Sequence, residues 1–297
     1  MSAIKIAIDA GHGSNTAGKR TAPFNKGVDI NQDGVIDVKK GEQYREHYAN
    51  VGVSVFLKEE LERCNFKTIR VAWNDSNAKD DSDVPLVDRQ KIIKANKCDY
   101  SISVHFNAHG TGQEFTSPKG VCIYIHSDKT KVGDSKNLAN AVLKRLCEGT
   151  AQQNRGVNPQ ELALCNCLAT GTKASILLEL AFMTNEYEAQ ELMANEEFWR
   201  ECAIEVCKGI CDYTGVKYVP KKVNPTTIYR VQVGAYSKEE NAKYYLKIVH
   251  DKGFKEAQVK KVDGLYKIQA GAFSVKSNAT KLKKEMKKKG IEAFITT

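Results

Sequence analysis

The feature that most constrains the fold is an internal repeat in the last third of the chain. The segment YRVQVGAYS at 229–237 recurs as YKIQAGAFS at 266–274, and the same offset of 37 residues relates Gly253 to Gly290. Each copy predicts an alternating strand, a helix that ends at the glycine, and a second short strand. A single βαβ unit cannot bury its sheet, so two copies predict one small α+β domain of βαββαβ type. Its four-stranded sheet would be backed by two helices.

Charge and proline placement predict how the chain is divided. Residues 221–297 hold 18 Lys and Arg against 7 Asp and Glu, whereas the whole chain of 297 residues has a net charge of +9. The stretch 216–226 carries two prolines and several charges, which is typical of a linker. We therefore expect domains at 1–215 and 227–297. The basic tail indicates a polyanionic partner or, alternatively, a lysine-rich solubilising surface.

Composition excludes several classes of protein. Hydrophobic residues make up 41% of the chain and charged residues 27%, which is typical of a globular protein. No apolar run is long enough for a membrane span, and the N-terminus has neither the apolar stretch nor the cleavage site of a secretory signal. We therefore expect synthesis in the cytoplasm.

The nine cysteines are odd in number and scattered, which favours buried apolar thiols over a disulfide framework. Cys207 and Cys211 lie one helical turn apart and could share a metal ion, but no CxxC pair accompanies them.

Two histidines follow predicted buried strands in the larger part of the chain. The apolar segment 3–8 leads into Asp9-Ala-Gly-His12, and the segment 99–105 ends in His105. Ligands collect at the carboxyl ends of strands in open α/β sheets. A lone histidine there would usually be a satisfied core residue, but two such histidines are better interpreted as metal ligands.

A catalytic zinc ion needs a third protein ligand and an open position for water. Glu46 stands at the start of a predicted helix, where the helix dipole favours a carboxylate, and His47 is the competing assignment. Glu179 lies within the apolar run 174–180, where a carboxylate is costly unless it is paired or functional. Beside a metal site it would serve as general base; the alternative is a structural acid paired to an arginine.

Motifs along residues 3–213 occur in the order of a known enzyme family. They are DAGHG at 9–13, Arg45-Glu46 with Asn50, PLVDR at 85–89, SVHFNA at 103–108, RGV at 155–157 and LLELAFMTN at 177–185. Together they resemble the zinc-dependent N-acetylmuramoyl-L-alanine amidases of the type-3 family.

The resemblance implies an α/β fold with a twisted mixed sheet flanked by helices. It also implies a peptidoglycan hydrolase that cleaves the amide between N-acetylmuramic acid and L-alanine. Carried over by motif position, His12, Glu46 and His105 would bind Zn²⁺ and Glu179 would be the catalytic acid/base. Asn50, four residues after Glu46, supports Glu46 over His47. For Arg89 we expect a structural or supporting role.

The repeat region, about 226–297, resembles a SPOR domain. In that family the exposed sheet face binds glycan strands stripped of their stem peptides. By their place in the repeat, Gln232, Tyr236, Gln269 and Phe273 are the candidate glycan contacts, because amides bond sugar hydroxyls and aromatic rings stack on sugars. Tyr236 and Phe273 could instead be core residues under the sheet.

The segment between His12 and Glu46 is longer than the compact family core needs. Within it, Asp29, Asn31, Asp33, Gly34 and Asp37 resemble the start of an EF-hand calcium loop, but Lys40 stands where a bidentate Glu belongs. The segment could bind Ca²⁺, form an Asp/Asn/Gly turn without a metal, or line the substrate groove.

Two other functions remain open from the sequence, a zinc peptidase acting on the stem peptide and a non-catalytic wall-binding protein. A nucleic-acid partner is disfavoured because the aromatic-rich strand signature of RNA-binding sheets is missing. For a wall hydrolase made in the cytoplasm, we expect action after release, either as a phage endolysin that passes holin lesions or as an autolysin freed by mother-cell lysis. The oligomeric state is left open.

Overall fold

The computed structural model describes residues 3–150, 152–222, 227–274 and 276–297. The chain divides into two compact units, one ending at Pro220 and the other beginning at Lys221. Within the described residues, no helix is both long and apolar enough to cross a membrane.

The first unit is built on a six-stranded mixed sheet in the order β2-β1-β3-β6-β4-β5. Strands β2, β1, β3 and β6 run parallel to one another, and the parallel pair β4 and β5 runs in the opposite direction. This is the α/β architecture with a mixed sheet that the sequence predicted. The strands are β1 Lys5–Ala10, β2 Lys67–Val71, β3 Tyr100–Asn107, β4 Val121–His126, β5 Asn154–Gln160 and β6 Ala174–Phe182.

Helices cover both faces of this sheet. On one face α1, α3 and α6 share a core with strand residues such as Ile8, Ile102 and Leu178. On the other face α2 packs with Leu164 over Ala7. The helices are α1 Glu46–Arg63, α2 Leu86–Ala95, α3 Ser135–Thr150, α4 Cys167–Thr170, α5 Glu186–Glu188 and α6 Glu196–Thr214, with a 3₁₀ turn at Ala163–Cys165 and a π turn at Ala189–Met193.

The second unit is the predicted doubled βαβ. Its antiparallel sheet has the order β10-β7-β9-β8, and the apolar residues of β7 and β9 form a core with α7 and α8. The elements are β7 Tyr229–Tyr236, α7 Glu239–Asp251, β8 Gln258–Val262, β9 Leu265–Phe273, α8 Lys276–Lys288 and β10 Phe294–Thr296. The duplication is visible in atomic detail. Lys252 Nζ donates to the carbonyl of Lys289 (2.6 Å), and Lys289 Nζ donates to the carbonyl of Lys252 (2.9 Å).

The first half of the predicted linker belongs to the first unit. Val216 and Tyr218 pack against its core, and the amide of Val219 donates to Cys64 Sγ at 3.3 Å. Two apolar side chains and one hydrogen-bonded amide pack this stretch against the first unit, although it carries a proline and several charges. Residues 223–226 of the predicted linker lie outside the described residues.

Candidate metal centre and catalytic groove

The two predicted strand-end histidines meet at the carboxyl edge of the sheet. β1 and β3 are parallel neighbours, and the amide of Gly11 continues their ladder by donating to the carbonyl of Val104. His12 follows with a φ of 63°, in the left-handed region, which turns its imidazole back over the sheet. Glycine is required at position 11, because a Cβ there would lie 2.1 Å from the imidazole of His105.

Glu46 completes a group of three ligands. Its Oε1 lies 3.1 Å from His105 Nδ1, and its Oε2 lies 3.3 Å from His12 Nε2. The nitrogen and oxygen atoms that the three residues offer all lie within 4.8 Å of one another. The helix α1 begins at Glu46, so its dipole also favours the carboxylate.

The electrostatics of Glu46 fit a cation. The side chain is only 1% exposed, and its Oε2 accepts no hydrogen bond, which leaves a buried anionic oxygen without a donor. Burial alone would raise the pKa of Glu46, but the adjacent imidazoles of His105 and His12 outweigh it, and the net pKa lies well below the usual range. Two imidazoles and one ionised carboxylate are the donor set of a catalytic zinc site, so the residues present fit Zn²⁺.

His47, the competing ligand, points elsewhere. Its Nδ1 donates to the carbonyl of Gly11 at 2.8 Å, and its Nε2 lies 3.2 Å from Asp81 Oδ2. Successive helical residues point about 100° apart, so only one of Glu46 and His47 can face the histidines. Asn50 donates to the same carbonyl of Gly11 at 3.0 Å, so His47 and Asn50 together fix the turn that carries His12.

Arg89 holds the other side of that turn. Its side chain is 2% exposed and donates to the carbonyls of Ala10 (2.9 Å) and His12 (2.6 Å) and to the carboxylates of Asp9 (2.9 Å) and Asp83 (2.8 Å). Burial of so polar a group is tolerated because several acceptors satisfy its donors. The supporting role expected of Arg89 is therefore a clamp on the chain that carries His12.

Glu179 lies beside the three candidate ligands. It is the register partner of His105 on one side and of Cys122 on the other, so all three side chains share one face of the sheet. Its Oε2 is buried and accepts no hydrogen bond, a position that does not favour a structural acid paired to an arginine. Burial, followed by the nearby charge of Glu46, raises the pKa of Glu179 well above its usual value. A carboxyl in this position can take up and release a proton beside the candidate ligands.

A groove opens onto this group. It has a volume of about 490 Å³, and its lining includes His12, His105 and several apolar side chains. Other residues that line the groove are Asp9, Asp83, Arg89, Leu86, Leu162 and Leu177.

The candidate calcium residues form a loop closed by main-chain pairing between Val28 and Val38. Asp29 accepts from the amides of Asp33 (3.2 Å) and Gly34 (2.8 Å), Asn31 accepts from the amide of Asp33 (3.1 Å), and Asp37 accepts from the amide of Ile30 (2.7 Å). Hydrogen bonds from the amide of Val35 and from Asn31 lower the pKa of Asp33. These bonds match the alternative of an Asp/Asn/Gly turn, and calcium binding stays a prediction.

The four candidate glycan contacts divide between the two faces of the small sheet. Gln232 and Gln269 are register partners on the face away from the helices, but Gln232 is 7% exposed and its amide donates to the carbonyl of Gly234 at 3.0 Å. Tyr236 and Phe273 pack against the core on the helix side, and Tyr236 stacks on Tyr245 of α7. This is the side of the sheet that the alternative interpretation gives them, but both stay partly exposed, and their contact with glycan stays a prediction.

The mixed sheet, the three clustered ligands and the neighbouring acid define a class of protein, the α/β proteins with a candidate metal centre. Comparison with known proteins gives the family. Residues 6–212 match the profile of the N-acetylmuramoyl-L-alanine amidases, and residues 225–297 match that of the SPOR domain. The chain belongs to the N-acetylmuramoyl-L-alanine amidase family.

Two curated relatives are similar over parts of their length. An uncharacterized cell wall amidase of Bacillus anthracis is 32% identical over 131 residues, which span 42% of this chain and 23% of that protein. The uncharacterized protein YqiI of Bacillus subtilis is 24% identical over 209 residues, spanning 70% of this chain and 84% of that protein.

Solved structures share the fold of the first unit. An N-acetylmuramoyl-L-alanine amidase of Clostridium difficile 630 superposes with a TM-score of 0.56 at 21% identity, covering 73% of this chain and 100% of that one. The catalytic domain of CwlV, an N-acetylmuramoyl-L-alanine amidase from Bacillus (Paenibacillus) polymyxa, gives a TM-score of 0.52 at 20% identity, covering 72% and 99%. At these identities the likeness establishes the fold.

Proposed function

We propose that the protein is a zinc-dependent peptidoglycan hydrolase that cleaves the amide between the lactyl group of N-acetylmuramic acid and L-alanine. The observation that carries the proposal is the group of His12, Glu46 and His105, with Glu179 in register beside His105. Family membership supplies the substrate class, and the three donors with a neighbouring, partly buried acid supply the chemistry.

In this proposal His12, Glu46 and His105 hold the zinc ion. When bound, zinc acts as a Lewis acid that polarises the scissile carbonyl and lowers the pKa of water. The chain's own residues then move the protons. Glu179 takes a proton from the attacking water and returns it to the leaving amine of L-alanine. Arg89, His47 and Asn50 hold the turn at Gly11 and His12, so that the ligands are already placed before substrate arrives.

The second unit is proposed to hold the enzyme on the glycan. A row of register partners crosses its open face from Phe294 through Gln232 and Gln269 to Gln258, and Phe294 at the edge is 43% exposed. Lys260 and Lys267 pair in the next row of the same face. Free lactyl carboxylates are what amidase cleavage leaves on the glycan, and these lysines give the face the opposite charge. Binding there would raise the local concentration of the first unit on the wall.

Product analysis tests the proposal. The full-length protein is loaded with zinc and incubated with purified peptidoglycan, and the released ends are identified by mass spectrometry. We expect new lactyl carboxylates on the glycan together with stem peptides that begin with a free L-alanine amine. New termini within the stem peptide would mean a peptidase, and intact polymer bound to the protein would mean a non-catalytic wall-binding protein. Action as a phage endolysin or as a mother-cell autolysin stays a prediction.

A further inference from the structure

A second group of potential metal ligands lies far from the catalytic groove. Cys64 directly follows α1, and Cys207 and Cys211 lie one turn apart on α6, which packs against α1. The helix α1 spans 18 residues from Glu46 to Arg63, about 27 Å at 1.5 Å per residue, and this length separates the cysteines from the candidate zinc ligands.

The three sulfurs form a compact triangle inside the core. All three Sγ atoms lie within 4.8 Å of one another, and those of Cys64 and Cys207 are 3.8 Å apart. The side chains are buried, with exposed fractions of 1%, 0% and 2% for Cys64, Cys207 and Cys211. Among the described residues, this group and the catalytic one are the two sets of three or more His, Cys, Asp or Glu that converge in this way.

Cys64 Sγ is the acceptor within this group, since both the Cys207 thiol and a backbone amide donate to it. The amide of Val219 donates to Cys64 Sγ at 3.3 Å. Cys165 and Cys167, elsewhere in the same unit, instead donate their thiols to the carbonyls of Tyr124 (3.5 Å) and Val132 (3.3 Å), as ordinary buried thiols do. An N–H donor directed at sulfur stabilises the thiolate, which is the form that binds metals.

We propose that Cys64, Cys207 and Cys211 form a binding site for one soft, thiophilic metal ion, separate from the catalytic centre. Thiolates select soft ions, and this group contains no imidazole or carboxylate to favour a harder one. Binding one divalent ion releases the three thiol protons to solvent and leaves one net negative charge among the three sulfurs. The amide of Val219 lies against that charge.

The proposed site lies beneath the segment from Val216 to Val219, which precedes the second unit in the sequence. The segment from Val216 to Val219 covers Cys64, and the side chain of Arg63 donates to the carbonyl of Val219 at 2.7 Å. An ion on the three sulfurs would hold the end of α1 and α6 together beneath this segment. Because the folded state holds the three sulfurs together and so binds the ion more tightly than the unfolded chain, the ion would raise the melting temperature of the first unit.

The test is a titration of the reduced full-length protein with Cd²⁺ under nitrogen, following the ultraviolet charge-transfer band of cadmium bound to thiolate. We expect the band to saturate at one Cd²⁺ per chain. Cys207→Ser and Cys211→Ser should each lose most of it. Cys147→Ser, a cysteine outside the cluster, should keep the full band, and so should His12→Ala, which removes a candidate zinc ligand. A negative result for the cysteine site therefore leaves the proposed amidase mechanism untouched, and the reverse also holds.

A second measurement needs no variant. Cd²⁺ should protect Cys64, Cys207 and Cys211 against alkylation during partial unfolding, as read residue by residue by mass spectrometry, and should leave Cys98 unprotected. Absence of the charge-transfer band in folded protein, its persistence in Cys207→Ser, or equal alkylation of all four cysteines would overturn the proposal.

Discussion

His105 and Glu179 are register partners on the adjacent parallel strands β3 and β6, so a candidate metal ligand and a candidate proton acceptor stand side by side on one face of the sheet. Their spacing is set by the strand separation of about 4.8 Å and not by a loop. Placement on rigid strands keeps both groups in position without an ordering cost when substrate binds.

Replacing Glu179 by Gln tests the proton transfer. We expect hydrolysis of purified peptidoglycan to fall by about 10²- to 10⁴-fold, the usual contribution of a general acid–base group. Zinc content should be unchanged, because Glu179 is not one of the three clustered ligands. Amide cleavage is measured by mass spectrometry, and metal by elemental analysis. Glu148→Gln, on the exposed end of α3, is the matched control; full activity of Glu179→Gln would remove Glu179 from its role.

Chelation tests the dependence on a metal. Incubation with a zinc chelator should abolish hydrolysis and leave the far-ultraviolet circular dichroism unchanged, because the core of the first unit is packed from side chains other than the three ligands. Activity should return with added Zn²⁺. Full hydrolysis by protein shown to be free of metal would contradict the zinc mechanism.

Arg89→Lys tests the clamp on His12. A lysine cannot reproduce the five hydrogen bonds that the guanidinium makes around the turn, and it leaves Asp9 buried with only the hydroxyl of Ser103. We expect zinc affinity to fall by about 10- to 100-fold. We also expect the free energy of unfolding to fall by about 3 kcal/mol.

The measurements for Arg89→Lys are chelator competition and urea unfolding. Arg145→Lys is the control, because Arg145 also forms a two-pronged pair, with Asp212, but on the surface. Equal zinc affinity in the Arg89 variant and the native protein would mean that Arg89 does not position His12.

Local pattern was enough to predict most of the candidate site. His12 and His105 stand at strand ends, Glu46 at a helix start, and Glu179 in an apolar run, and each of these positions can be read from a few neighbouring residues. The structure brings all four to one edge of the sheet, as the parallel pairing of β1, β3 and β6 requires. Family resemblance was needed to choose Glu46 over His47, since both lie in the same turn of helix.

Contacts between residues far apart in the sequence could not be predicted from local pattern. Cys64 and Cys207 are 143 positions apart in the sequence, and Arg89 on α2 contacts the turn after β1. No pattern of neighbouring residues indicates either contact. The face occupied by Tyr236 was also ambiguous, because bulges shift the pairing of β7 with β9 on both sides of Gln232 and Val233. A one-residue shift moves a side chain to the opposite face of a sheet, which strand alternation alone cannot foresee.

Substitutions in the second unit test which face binds glycan. Gln269→Ala removes an amide on the open face and should weaken binding to stem-peptide-free glycan by about 2- to 10-fold, the value of one hydrogen bond. Tyr236→Phe is the control on the helix side; it keeps the ring that stacks on Tyr245 and should bind normally. A chain ending at Pro220 should lose most binding but keep its zinc content. Co-sedimentation with the glycan measures all three, and a weaker Tyr236→Phe with a normal Gln269→Ala would reverse the assignment of faces.

Asp99 gives a prediction for the pH dependence of stability. Burial alone would raise the pKa of its carboxyl. Hydrogen bonds from Lys173 Nζ (2.8 Å) and the amide of Lys5 (2.9 Å) have a larger effect in the opposite direction, so the net pKa lies below the usual value. A lowered folded-state pKa stabilises the fold above the unfolded-state pKa of about 3.9, and this stability is lost as the pH falls through the folded-state pKa.

Asp99→Asn should therefore lower the free energy of unfolding by about 1 kcal/mol at neutral pH. The difference from the native protein should disappear below the folded-state pKa, where both side chains are neutral. Urea unfolding at the two pH values measures it, with Asp88→Asn as the control, since the pair of Asp88 with Lys91 is largely exposed and contributes little. A deficit of the same size at both pH values would show that Asp99 acts through packing and not through its charge.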